Sequence, residues 1–118
     1  SATNSIDKRK AIPQAPVTTY TGSADAIDIR RGDVFVLNRT AGVNAATLAD
    51  PVVADDGRII WIVNGTTQAN TVTITNGLGG SGGSYDLLTF LNVVAANVTL
   101  RAYNAKWYLV GQHGITVS

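Results

Sequence analysis

The chain reads as a small all-β domain, an antiparallel β-sandwich or barrel-like fold of eight or nine strands with an extended N-terminal arm. Three observations predict this. All eight acidic residues are Asp and none is Glu; Glu suits helix interiors, whereas Asp suits turns and caps. Turn signals built from Gly, Asn, Asp and Pro recur about every 8–12 residues, the spacing of sandwiches and small barrels. Between them, apolar residues alternate with a period of two.

Residues 1–20 read as the arm and 21–118 as the domain. The arm carries a charged knot, Asp7-Lys8-Arg9-Lys10, and two prolines, Pro13 and Pro16, with no apolar period. Proline favours an extended, polyproline-like backbone. Such a segment buries too little apolar surface to offset its own ordering entropy, so its expected place is on a partner.

In the domain, Ala26-Ile27-Asp28-Ile29 leads into a turn at Arg31-Gly32-Asp33. Val34-Phe35-Val36-Leu37 is apolar on both faces, as in a buried strand. Ala45 to Ala49 is a short strand that Asp50-Pro51 stops. Asp55-Asp56-Gly57 is a strong turn signal. Arg58 to Asn64 is the most apolar segment and should be the central strand. Asn70 to Thr75 places Val72 and Ile74 inward and the threonines outward. Residues 76–84 contain five glycines, a composition that predicts a flexible, exposed loop. Leu87 to Leu91 is a further strand. Ala96 to Gly111 is a hairpin turning at Asn104-Ala105, and Ile115-Thr116-Val117 is a short edge strand. Single helical turns are expected, if anywhere, at Asn44 to Leu48 or Leu91 to Ala95. The absence of a clean internal repeat disfavours a solenoid. The expected core is Ile60, Trp61, Ile62, Val72, Ile74, Leu100, Trp107 and Leu109.

At 118 residues the chain is one domain with a modest core. Charged residues are only 14%, against about 25% in an average soluble domain. So neutral a surface suggests that other chains cover part of it. There is no cysteine and a single histidine, which excludes disulfides and thiolate metal sites and removes most zinc and acid/base constellations. A net charge of +1 gives no bulk support for polyanion binding. No apolar run approaches the ~20 residues of a membrane helix, and the polar N-terminus lacks the order of a secretory signal.

Little in the chain suggests chemistry. His113 lacks an evident nucleophile and carboxylate partner. Asp55-Asp56 is the only adjacent carboxylate pair, and Gly57 after it makes turn chemistry the simpler account. An intersubunit site drawn from Asp25, Asp28, Asp33 or Asp86 trails behind. The Asp spacing does not match a calcium loop. Arg31-Gly32-Asp33 spells an adhesive tripeptide, but Gly32 fits a turn. Three glycosylation sequons, at Asn38, Asn64 and Asn97, are expected by chance in an Asn/Thr-rich chain. The glycine loop is not followed by Lys-Thr or a helix, so it is no phosphate cradle. The Lys8-Arg9-Lys10 cluster lacks interleaved aromatics for base stacking, and protein carboxylates are its expected partners. No cofactor, metal, nucleic acid or membrane is expected.

The series Asp56-Gly57-Arg58-x-Ile60-x-Ile62-x-Asn64, then Asn70 to Ile74, then Val98 to Asn104-x-Lys106-Trp107-Tyr108 resembles small β domains of tailed-bacteriophage virion proteins. These occur in head decoration (cement) proteins, head fibres and tail-fibre segments, and are typically trimeric. The likeness spans roughly residues 21–112, and the closing hairpin is its most specific part. It implies a non-catalytic structural protein, made in the host cytoplasm and placed on the capsid exterior. Lys8, Arg9, Lys10, Pro13 and Pro16 would then bind the major capsid protein, and the body would form a homotrimer. The alternative is a fibre domain that binds a host receptor or glycan. Its contact surface would be Leu78, Tyr85, Tyr103 and Tyr108, with the loop at 77–83.

Overall fold

Six strands are laid down alternately in two sheets before the chain doubles back. The computed structural model, which describes residues 16–82 and 84–118, contains β1 (Val17–Tyr20), β2 (Ala26–Ile27), β3 (Val34–Leu37), β4 (Ala45–Leu48), β5 (Ile59–Asn64) and β6 (Thr71–Ile74). Four more follow: β7 (Leu87–Phe90), β8 (Asn97–Tyr103), β9 (Lys106–His113) and β10 (Ile115–Val117). The first sheet runs β1-β3-β5-β8-β9 and the second β10-β7-β6-β4-β2. The fold is the expected β-sandwich, with β5 at the centre of the first sheet.

The pairing within each sheet is mixed rather than purely antiparallel. β1, β3 and β5 are mutually parallel, and so are β2, β4 and β6. Parallel neighbours need a crossover of about a dozen residues or more; here a strand of the opposite sheet supplies it. The first half of the chain is therefore wound as three successive coils, against the expectation that disfavoured a solenoid. The coils are unequal: Val17 pairs with Val34, but Val34 pairs with the distant Trp61. Antiparallel strands β7 to β10 close both sheets.

Val17–Tyr20, assigned to the arm, is instead an edge strand of the body. Pro16 marks its start, where a missing N–H is tolerated, and the Pro16 carbonyl accepts from Asp33 N at 3.2 Å and Val34 N at 3.3 Å. Gly32 permits this contact: a Cβ there would lie 2.5 Å from the Pro16 oxygen. The helical turns also lie elsewhere than expected, as 3₁₀ turns at Ile29–Arg31 and Val53–Asp55. Asp28 caps the first by accepting from Arg30 N at 3.0 Å, and Asn44 to Leu48 holds β4 instead.

Phe35, Leu37, Ile60, Ile62, Leu100 and Trp107 from the first sheet meet Leu48, Val72, Ile74, Leu88 and Phe90 from the second, all fully buried. Two expected core residues do not belong. Trp61 lies between Ile60 and Ile62, so the two-residue period turns it outward, and it is 36% exposed. Leu109 pairs with Leu100, but no strand lies beyond β9 and it is 40% exposed.

One corner of the coils is polar yet buried. Asp25, Asn44 and Asn70 stand just before β2, β4 and β6. Asp25 N donates to Asn44 Oδ1 at 3.2 Å, and Asn44 N donates to Asn70 Oδ1 at 2.8 Å. Asn70 Nδ2 then donates to Asn64 Oδ1 at 2.8 Å. Asn64 Nδ2 ends the stack on the carbonyls of Gln68 and Leu91. Among the described residues, no buried side-chain polar atom lacks a partner.

The hairpin turn has Asn104 at φ 50° and Ala105 at φ 61°, the left-handed pair of a type I′ turn. Asn tolerates that region and Ala does not, at a cost of roughly 1–2 kcal/mol. Ala105→Gly should therefore stabilise the protein by about 1 kcal/mol, read as a higher urea midpoint at unchanged slope. A lower midpoint would contradict this backbone assignment.

Candidate functional site: an apolar sheet face and an aromatic groove

The two outer faces of the sandwich differ in chemistry. Across the first sheet, Val17, Val34, Trp61 and Thr99 stand in one row, and Thr19, Val36, Val63 and Asn97 in the next. Exposed Ile59 continues the apolar surface, and Arg101 beside it brings a charge. Trp61 is held by its indole N–H, which donates to Asn97 Oδ1 at 3.0 Å. Across the second sheet the outward residues are mostly threonine: Thr71, Thr89 and Thr116 in one row, Thr47 and Thr73 in another. Threonine can satisfy its hydroxyl with water; the valine, isoleucine and tryptophan of the first sheet cannot.

Each edge of the sandwich opens into a groove. That between β1 and β2, about 700 Å³, is lined by Tyr20, Ile27, Asp28, Arg30, Asp50 and Asp55 among others. Its charges are already engaged. Asp28 pairs with Arg30 at 3.2 Å and Arg31 at 3.9 Å. The Arg30 backbone N–H, then its guanidinium, hold the Asp28 carboxyl below the usual carboxylate range. Asp55 accepts from Val52 N at 3.0 Å.

The groove at the other edge, about 380 Å³, lies between β9 and β10 and is lined by Leu78, Tyr85, Tyr108, Leu109, Val117 and the glycine loop. The Tyr108 ring rests on Gly79, where a Cβ would come within 2.4 Å of it. Tyr103 leans on Tyr108 with ring centroids 6.2 Å apart.

The structure thus gathers the four residues assigned to the alternative contact surface, with one correction. Tyr85 and Tyr103 are exposed and Tyr108 half-buried, but Leu78 is buried. Leu78 bridges to Trp107, and the loop is hydrogen-bonded throughout, with Leu78 N to Tyr85 O at 2.8 Å and Gly79 N to Trp107 O at 2.8 Å. The composition predicts a flexible loop; these bonds make it an edge cover for β9. Of the proposed capsid-binding residues, Lys8, Arg9, Lys10 and Pro13 lie outside the described residues, and Pro16 stands at the start of β1.

The motifs weighed for chemistry serve the fold. Asp33 accepts from Arg58 Nε at 2.9 Å, and Arg58 also donates to the Gly32 carbonyl at 2.6 Å and to that of Ile29. Asp56 accepts from Asn104 N at 2.7 Å. The sequon residue Asn64 is buried, and Asn97 holds Trp61. His113 is exposed at the end of β9. Among the described residues, no cluster of three or more His, Cys, Asp or Glu could hold a metal, and no helix is long and apolar enough to cross a membrane.

The exposed apolar row of Val17, Ile59 and Trp61 escapes sequence reasoning. Its only signal is that β5 is apolar on both faces, which looks the same whether a second layer or another chain covers it. Compared with known proteins, the chain matches no family model and no curated sequence.

Proposed function

We propose that this chain is a structural virion protein of the capsid-decoration (cement) kind. It self-associates through the outer face of the first sheet, as a homotrimer, and grips the major capsid protein through its N-terminal segment. The observation that carries the reading is the chemical asymmetry of the two faces. A threonine face is at ease in water, while an apolar face containing Trp61 is the kind of patch that marks an interaction site. The body offers a rigid, fully hydrogen-bonded scaffold, as a lattice clamp requires. Because β1 is an edge strand of that same sheet, residue 16 stands at the margin of the apolar face. The preceding segment would then depart beside the contact between copies, and Lys8, Arg9 and Lys10 would pair with capsid carboxylates. Three such segments on one trimer would add avidity.

Sedimentation velocity and capsid co-sedimentation test this. The chain should sediment as a trimer, and Trp61→Glu should make it monomeric while shifting stability by less than about 1 kcal/mol, since the residue lies on the surface. Charge reversal of Lys8, Arg9 and Lys10 in the full chain should abolish capsid binding and leave the trimer intact. A monomer at all concentrations, or undiminished capsid binding by the reversed variant, would overturn the reading.

The tyrosine cluster favours a second reading, a fibre domain whose β9–β10 groove receives a host receptor or glycan by stacking on Tyr85, Tyr103 and Tyr108. Under it, Tyr108→Ala abolishes attachment to host cells and the basic cluster is dispensable for attachment.

A further inference from the structure

We infer that the free edge of β9, from Leu109 to His113, pairs antiparallel with the same edge of a second copy across a twofold axis. The inference deepens the self-association reading and rests on it. β9 is the last strand of the first sheet. Its beginning is covered, because the glycine loop bridges to Trp107 and donates to its carbonyl. From Leu109 onward all five residues are exposed and no strand lies outside them. An uncovered strand edge presents a row of backbone donors and acceptors and is a template for pairing.

The other three edges are blunted. β2 has two residues and β10 three; β1 has four and begins directly after Pro16. Short edge strands and prolines are the usual protections against edge pairing. β9, with eight residues, is the longest strand, and its free half contains no Pro, Lys, Arg or acidic residue.

The same features select a second copy as the occupant. A twofold axis presents an identical strand antiparallel to the first. Centred on Gly111, it sets Leu109 against His113 and Val110 against Gln112, with no acidic or Lys/Arg side chains to repel one another. Gly111 also lets the backbones approach, since nothing lies within 4 Å of where its Cβ would stand. Five residues pair over only about 17 Å, a contact well short of a standard stable interface of roughly 1,600 Å². It therefore acts between oligomers already assembled through the sheet face, where several such links work together. The junction makes the two first sheets continuous and doubles the width of their apolar surface.

The chain has no cysteine, so Gly111→Cys in the full chain carries a single thiol. Opposed residues of an antiparallel pair have Cα atoms roughly 4.5–5.5 Å apart, within disulfide range. Under mild oxidation, Gly111→Cys should cross-link at least about tenfold faster than Thr116→Cys, exposed on the outer face of the second sheet, by proximity alone. Adding Val110→Lys should remove that advantage by placing like charges on the paired edge. Equal cross-linking rates at the two positions, or an advantage untouched by Val110→Lys, would overturn the inference. Trimers lacking the Gly111→Cys cross-link would sink the edge pairing and leave the face reading standing. Cross-linked dimers that persist in the Trp61→Glu background would support the edge and sink the face.

Discussion

Trp107→Ala should lower the unfolding free energy by about 3–5 kcal/mol, the usual cost of emptying a large aromatic site in a packed core. Trp107 is the largest fully buried side chain and sits where β9 and the glycine loop close the sandwich. Its indole N–H donates to the Ala49 carbonyl at 2.9 Å, so truncation also removes a hydrogen bond across 58 residues of sequence. Its backbone carbonyl holds Gly79, and hence the loop under Tyr108. At this size the loss corresponds to a fall in melting temperature of about 12–20 °C. Trp61→Ala is the matched control, since its side chain faces out; the expected cost to the monomer is under about 1 kcal/mol. Thermal or urea unfolding of the two variants at low concentration decides the matter. Equal losses at the two positions would overturn the assignment of inner and outer faces.

The tryptophan pair also shows how far the sequence could be read. Period-two alternation in Asn70 to Thr75 and in Val98 to Tyr103 names the buried face without ambiguity, because the opposite positions are polar. In Arg58 to Asn64 every position is apolar but the ends, so the pattern no longer says which residues turn inward. Only the parity set by Ile60 and Ile62 against Leu100 and Val98 does so. The parallel coils were illegible for a different reason. Alternation reports which face a residue occupies, never the direction of the neighbouring strand, and the unequal spacing of Val17, Val34 and Trp61 leaves no repeat to detect.

Composition misled at the glycine loop. Glycine was read as freedom, but Gly79 is there because Tyr108 occupies the space of a side chain. Leu78, the one large apolar residue among the glycines, was the available signal that the loop is anchored. Val17–Tyr20 carried its own signal, two threonines and a tyrosine in a β-favouring run, which the nearby prolines obscured. The tyrosines of the groove come together because the hairpin turn at Asn104-Ala105 folds Tyr103 back beside Tyr108, a neighbourhood that the hairpin reading contains. Their approach to Tyr85 depends on the closure of the two sheets and was not readable from local pattern.

Asn70→Ala should cost about 2–5 kcal/mol, although it removes neither apolar surface nor charge. Both ends of the Asn70 amide are committed inside the protein: Oδ1 accepts from the Asn44 backbone N–H and Nδ2 donates to Asn64 Oδ1, each at 2.8 Å. All three asparagines are buried. Alanine would strand a donor on one coil and an acceptor on the next, and an orphaned buried polar group costs about 1–3 kcal/mol. The residue also locks the order of the coils, because Asp25, Asn44, Asn70 and Asn64 form one chain of bonds across the starts of β2, β4 and β6. Loss of its middle link should free the Asn44 amide for hydrogen exchange well before the core strands open. The exposed Asn76, whose side chain bonds only Asp50, provides the contrast: Asn76→Ala should change stability by less than about 0.5 kcal/mol. If Asn70→Ala proves as mild as Asn76→Ala, or the Asn44 amide keeps its protection, the buried asparagines do not hold the coils together and packing alone sets the winding.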